Sequence, residues 1–223
     1  AFLEDYIDRA TAPIYGINTG FGSLCDTEIG KADLGKLQEN LVRSHACGLG
    51  DLVKPEIVKY MLLLKILGLS KGNSGVKLET VNALIQFYNL DVLPVVYEQG
   101  SLGASGDLAP LAHLSLALLG EGKVYFKNMI FETSKVFELK GLKPVSLGAK
   151  EGLALLNGTQ FMSAYATYML ANLDHQVKNI DKISALSLDA FDGRVEPFDA
   201  AVHAVRPHSG QRETAQTMRE MLA

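Results

Sequence analysis

The sequence predicts a mainly α fold, and three observations predict it. Apolar residues recur three and four places apart through most of the 223 residues. Glycine and proline gather at the ends of several of these periodic segments. Only one short stretch, Val124 to Phe131, reads as a β-hairpin, turning at Lys127-Asn128.

Each element follows in order. Leu34, Leu37, Leu41 and Val42 form one helical stripe that ends near Gly48. Pro55 opens the next helix in its first turn, where no amide donor is needed, and Ile57 to Leu69 fill it. Lys71-Gly-Asn-Ser-Gly75 is a turn by composition. Val76 to Tyr88 is a third helix, closed before Pro94. Asp107 to Leu119 is a fourth, with Asp107 as its N-cap, Pro110 tolerated in the first turn, and Gly120 and Gly122 stopping it. Ala149 to Leu156 is a short helix that Asn157-Gly158 can end. Thr159 to about Ala190 is the longest, apolar on Phe161, Tyr165, Met169, Leu173 and Ile180. Phe191 to Gly210 reads as a loop holding two prolines and two glycines. No internal repeat or clear linker appears, so residues 1–223 read as a single domain.

Composition narrows the function. Hydrophobic residues make up 48% and charged residues 21%, the balance of a soluble globular protein. The net charge of -4 argues against a nucleic-acid partner, which would favour a basic face. The longest apolar run, Met61 to Leu64, is broken by Lys65 and cannot span a bilayer, so no membrane partner is expected. The N-terminus lacks the basic start and long apolar core of a signal peptide. Cys25 and Cys47 imply neither a disulfide framework nor a metal pair, which suits a reducing, cytoplasmic location. The sequence begins without Met, and Met218 to Ala223 stop inside a helical pattern, so both ends read as truncated.

Four segments are richer in glycine and polar residues than packing requires. They are Tyr15-Gly-Ile-Asn-Thr-Gly-Phe-Gly22, Ser44-His-Ala-Cys-Gly-Leu-Gly50, Gly100-Ser-Leu-Gly-Ala-Ser-Gly-Asp-Leu-Ala-Pro-Leu111 and Leu156-Asn-Gly-Thr-Gln160. Each falls in a loop or at a predicted helix end, where backbone groups are free to meet a ligand. Taken singly, each could equally be a helix stop or a turn. A dinucleotide fingerprint needs a strand before its glycines and a helix after them, and no such unit is visible. The nucleophile elbow of serine hydrolases needs glycine two places either side of the serine; Gly103 satisfies the first place, but Asp107 occupies the second.

A reaction of the backbone with itself fits Ala104-Ser105-Gly106 better. Gly106 offers an unhindered amide nitrogen that could attack the carbonyl of Ala104 and close a five-membered ring. Loss of two waters, one of them from the Ser105 hydroxyl, would leave an exocyclic methylene. Asp107 could position the turn or move protons. The following helix would aim its positive N-terminal end at that ring.

Ala104-Ser-Gly-Asp-Leu-Ala-Pro110 resembles the signature of the aromatic amino acid ammonia-lyases, which carry a self-formed methylidene-imidazolone (MIO) group. The resemblance covers essentially the whole chain. Tyr15 to Gly22 is similar to the family's tyrosine loop, and Leu155-Leu-Asn-Gly-Thr-Gln160 to its asparagine loop. Arg206-Pro-His-Ser-Gly-Gln211 is similar to a further segment, whose fourth position is more often proline. The resemblance implies a long-helix fold of the fumarase/aspartase-like kind. It implies an MIO made from Ala104, Ser105 and Gly106 with no external cofactor, and a homotetramer when full length. Family members are about twice as long, so this chain looks like the N-terminal, MIO-forming half.

Roles carry over by position. Tyr15 matches the catalytic base; a tyrosinate is strong enough to remove a weakly acidic β-proton once its pKa is lowered. Asn157 matches a residue that contacts the ring or the substrate carboxylate, and its amide offers both a donor and an acceptor. His45, supported by Ser44, resembles the histidine-specific members, where imidazole would recognise imidazole. The implied reaction removes ammonia from L-histidine to give trans-urocanate. A phenylalanine or tyrosine ammonia-lyase or aminomutase is the alternative, as is an inactive truncated helical module. His113, His175, His203 and His208 lack a ligand set at metal spacing, so no metal is expected and structural or surface roles are the default.

Overall fold

A computed structural model describes residues 2–9, 12–21, 29–104 and 106–223. The chain divides into two compact units, Ala1–Tyr168 and Met169–Ala223.

The first unit holds α1 (Phe2–Arg9), α2 (Leu34–His45), α3 (Pro55–Leu69), α4 (Leu78–Asn89), α5 (Leu108–Leu118), α6 (Thr133–Lys140), α7 (Glu151–Leu156) and the first turns of α8 (Gln160–Ala190). Two small antiparallel sheets accompany them. β1 (Leu49–Leu52) pairs with β3 (Tyr97–Gln99), and β2 (Leu93–Pro94), β4 (Lys123–Phe126) and β5 (Met129–Glu132) lie in the order β2-β4-β5. The β4–β5 hairpin turns at Lys127 and Asn128, with φ of 49° and 61°. Two successive left-handed residues are what a type I′ turn needs to match the twist of its strands.

Helices α3 and α5 are apolar nearly all round, the pattern of helices enclosed by a core. Val58, Met61 and Leu62 of α3 meet Leu111, Leu114 and Leu118 of α5 in one cluster, joined by Leu84 of α4 and by Leu155 and Leu156 of α7, all fully buried. Truncating one of these leucines to alanine costs about 2–5 kcal/mol, because the site relaxes only partly around the void. Pro55 sits in the first turn of α3, as its missing amide hydrogen allows.

Two expectations are corrected. Asp107 occupies the N-cap position of α5, but its side chain makes no capping bond there. Its backbone, at φ -87° and ψ 61°, is outside the extended region from which a capping side chain folds back. The segment Phe191 to Gly210 is not a plain loop. In the second unit, beyond the remainder of α8, Glu196–Phe198 form a 3-10 turn, α9 spans Ala200–Ala204, and α10 (Ser209–Met221) begins before Gly210. Pro197 lies in the first turn of the 3-10 segment, and Asp199 caps α9 by accepting the Ala201 amide at 2.8 Å. Along α8, Met169, Leu173, Val177, Ile180 and Ile183 recur three and four apart and are exposed.

Candidate active site

Three of the four glycine-bearing segments are linked through close backbone approaches, and the tyrosine loop packs nearby on α7. Gly106, at φ 115°, lies so near the asparagine turn that an added Cβ would sit 2.7 Å from Asn157 Oδ1 and 2.8 Å from the Gly158 nitrogen. The Asp107 amide donates to the Gly158 carbonyl at 2.7 Å. A Cβ on Gly100 would meet the Gly48 Cα at 3.2 Å and the Ala109 side chain at 3.0 Å. This brings the segment after His45 to the start of α5. A Cβ on Gly16 would lie 2.6 Å from Leu153 Cδ2, so the tyrosine loop packs on α7, the helix that leads into Asn157. Three glycines with positive φ thus admit the approaches that a side chain would block.

Each loop has its own internal bonding. Tyr15 begins a tight turn in which the Ile17 and Asn18 amides donate to the Ile14 carbonyl at 3.1 and 3.2 Å, and the Gly16 amide donates to Thr19 Oγ1 at 3.2 Å. The Tyr15 ring is exposed and meets Phe21 edge-on, centroids 6.3 Å apart. His45 ends α2, and its Nδ1 donates to the Leu41 carbonyl at 2.9 Å. Ser44 Oγ donates to the same carbonyl at 3.0 Å. A carbonyl can only accept, so the Leu41 contact favours the tautomer with its proton on Nδ1, which also lies 3.1 Å from Ser44 Oγ, and that tautomer presents Nε2 as an acceptor. The Gly48 amide donates to His113 Nε2 at 2.9 Å, while the His113 ring packs edge-on against Tyr97 at 4.9 Å. His113 therefore anchors the His45 segment to α5. Burial lowers its pKa below the ordinary 6.5, favouring the neutral ring that this bond requires.

Asp107 joins three of these parts. Its carboxylate, 2% exposed, accepts the Ser101 hydroxyl at 2.7 Å and the Met162 amide at 3.0 Å. Met162 is in the first turn of α8, so Asp107 satisfies an amide of that helix instead of its own. The start of α5 is left without a cap from the Asp107 side chain, and the partial positive charge of its N-terminus lies two residues after Gly106 in the chain.

Helix α7 is held from two sides. Gln38 of α2 accepts the Leu153 amide at 3.2 Å, and Gly152 approaches the Gln38 carbonyl more closely than any side chain would allow. The buried Glu151 carboxylate accepts the Thr80 hydroxyl at 2.7 Å and the Lys77 and Gly148 amides at 2.8 and 2.7 Å. Lys65 of α3 donates to the Ala154 carbonyl at 3.3 Å. Sequence reading missed Gln38, Lys65, Ser101 and Glu151. For Lys65 a signal existed: it falls four residues after Met61 and four before Leu69, on a stripe that is otherwise core.

Of the residues singled out by sequence, Gly106 lies against Asn157, Asp107 bonds the Gly158 that follows it, and Ala104 lies exposed at a bend. Tyr15, Ser44 and His45 are tied to the same helices through Gly16 and Gly48. Ser105 and Cys25 lie outside the described residues. The Arg206–Gln211 segment lies in the second unit and opens α10, where the Gln211 amide donates to His203 Nδ1 at 2.8 Å. Among the described residues no cluster of three or more His, Cys, Asp or Glu is arranged to hold a metal ion. No described helix is long and apolar enough to cross a membrane.

The family pattern described as aromatic amino acid lyase matches residues 1–223. The histidine ammonia-lyase of Alkaliphilus metalliredigens is 44% identical over 221 residues, covering 99% of this chain and 43% of that protein. That of Shewanella woodyi is 48% identical over 220 residues, again covering 99% and 43%. Among solved structures, histidine ammonia-lyase from Trypanosoma cruzi superposes with a TM-score of 0.89 at 39% identity, over 98% of this chain and 42% of that one. Tyrosine aminomutase from Streptomyces globisporus gives 0.90 at 36% identity, over 98% and 41%. The chain spans less than half the length of these relatives.

Proposed function

The chain belongs to the aromatic amino acid lyase family, and from that membership we propose that it is the MIO-forming part of a histidine ammonia-lyase, releasing ammonia from L-histidine to give trans-urocanate. The observation that carries the reading is the approach of Gly106 to Asn157, within 2.7 Å of where a Cβ would stand. A ring built from Ala104, Ser105 and Gly106 needs a third residue without a side chain, a partner amide beside it, and a positive field from the next helix. Gly106, Asn157 and the uncapped start of α5 fit those three needs.

Once formed, the MIO supplies an electrophilic methylene that makes the substrate amine a better leaving group. The chain's own residues do the rest. Tyr15 takes the β-proton as general base. His45 reads the substrate: its Nε2 acceptor suits an imidazole N–H, and Ser44 supports it through the shared Leu41 carbonyl. Asn157 offers an amide N–H to the substrate carboxylate or to the ring carbonyl. Asp107 holds the asparagine turn and α8 in place around them.

The exposed apolar stripe on α8 favours self-association, and the reading here is a homotetramer in the cytoplasm with residues 1–223 forming the ring-bearing part. A tyrosine or phenylalanine lyase or aminomutase is the second reading, favoured by the close superposition on tyrosine aminomutase; Ser44-His45 tells against it. The deciding experiment gives the full-length protein L-histidine and follows urocanate absorbance, while the mass of the 104–106 peptide is measured. Loss of two waters together with urocanate growth is expected. Turnover of tyrosine or phenylalanine in place of histidine would move the assignment to the second reading.

A further inference from the structure

Lys65 is 1% exposed, on the face of α3 that carries the buried Met61, Leu62 and Leu69 of the apolar core. Its Nζ donates to the Ala154 carbonyl at 3.3 Å, three residues before Asn157. Burial pushes its pKa down to about 7, and the negative charge of Asp107 opposes that fall. Asp107 holds the same stretch through the Gly158 carbonyl and the Met162 amide. Lys65 and Asp107 therefore tether residues 154–162 at three points, on either side of the Asn157 that lies against Gly106.

A buried lysine contributes poorly to stability. Its burial carries a desolvation cost that well-packed methionine would avoid in nearly the same volume. The amino group does what methionine cannot: it donates to a carbonyl in the last turn of α7. We propose that Lys65 is a positioning residue for the ring-forming loop, holding the Asn157-Gly158 turn against Gly106 through the Ala154 carbonyl. Its consequence for ring formation rests on the reading of Ala104-Ser105-Gly106 given above; its hold on the turn does not.

The test compares wild type, K65M and K65R as full-length proteins by three measurements: amide exchange along the chain, thermal midpoint, and the dehydrated fraction of the 104–106 peptide. In K65M, exchange across residues 154–163 is expected to rise about tenfold while the core helices α3 and α5 stay protected. Its midpoint is expected to be unchanged or higher, and its dehydrated fraction to fall about tenfold. K65R, which keeps an N–H donor on a long side chain, is expected to recover much of both. Wild-type exchange at 154–163 in K65M would overturn the proposal. So would an increase spread evenly over the chain with a lower midpoint, which would make Lys65 a packing element only. If wild type itself is not dehydrated, the reading of the tripeptide fails, and the exchange contrast still decides the role of Lys65.

Discussion

Asp107 caps a helix that is not its own: its carboxylate accepts the Met162 amide at 3.0 Å, in the first turn of α8, while α5 begins at the very next residue without a side-chain cap. One acidic group thereby satisfies an amide of the longest helix and leaves the start of α5 uncapped by it. Replacing it tests both effects. D107N keeps the shape but removes the charge and turns one of two acceptor oxygens into a donor facing Ser101 or Met162. A buried donor left unpaired costs about 1–3 kcal/mol, so urea unfolding of D107N should show a loss of that size. D107A should lose at least as much, and both should lower the dehydrated fraction of the 104–106 peptide.

Gly106 sets the second prediction. Its φ of 115° is a region that side chains avoid, and the Cβ of alanine would meet Asn157 Oδ1 and the backbone of Gly158. The Asn157 side chain can swing away, whereas the Gly158 backbone is pinned by the Asp107 amide. G106A is therefore expected to lose about 1–3 kcal/mol in chemical denaturation. Adding N157A should restore only part of it, because the backbone contact remains.

Glu151 carries the third. Its carboxylate receives three donors, the Lys77 amide, the Thr80 hydroxyl and the Gly148 amide, and so joins the start of α4 to the start of α7. Glutamine has one acceptor oxygen in place of two, so E151Q leaves donors facing a donor. The expected cost is about 1–3 kcal/mol, measured by urea unfolding. Since α7 ends at Asn157, amide exchange should also rise over residues 148–158.

Much of this arrangement was legible in the sequence, and the rest was hidden for physical reasons. Helices α2, α3, α5 and α8 followed from stripes of apolar residues, and the β4–β5 hairpin from Lys127-Asn128. The four glycine segments marked the candidate site because three of their glycines permit contacts that no side chain would. Strands β1, β2 and β3 escaped because they are short and find partners far along the chain, so no local alternation announces them. The cap made by Asp107 escaped for a similar reason: a sequence reader looks for a cap's amide within the same turn, and Met162 is distant in sequence. Pro197 and Pro207 looked like loop formers, yet Pro197 sits where a helical turn tolerates it.

His113 makes stability depend on pH. Its Nε2 accepts the Gly48 amide, which only the neutral ring can do. Burial lowers its folded-state pKa below 6.5, so as pH falls the unfolded chain takes up this proton first. The stability from neutral His113 is complete above about pH 6.5 and is lost as pH falls from there through the folded-state value. Urea unfolding of wild type at about pH 7.5 and about pH 5.5 should show a larger drop than H113F shows between the same conditions. Equal drops would mean that His113 is not the linked group.

His45 sets the specificity prediction. Donation from Nδ1 to the Leu41 carbonyl favours the tautomer that leaves Nε2 as a lone-pair acceptor. An acceptor at this position rewards a substrate that brings an N–H, as imidazole does and a phenyl ring does not. A site that hydrogen-bonds its substrate discriminates far more strongly than one that only offers apolar volume. H45F removes the acceptor and adds apolar surface. In the full-length protein it is expected to lower kcat/KM for histidine by about a hundredfold, while turnover of phenylalanine stays level or rises. H45Q, whose side-chain oxygen can still accept, should fall between them. An equal loss on both amino acids would assign His45 to the fold of the segment rather than to substrate choice. In that case H45F should also raise amide exchange at Gly48, which His113 otherwise holds.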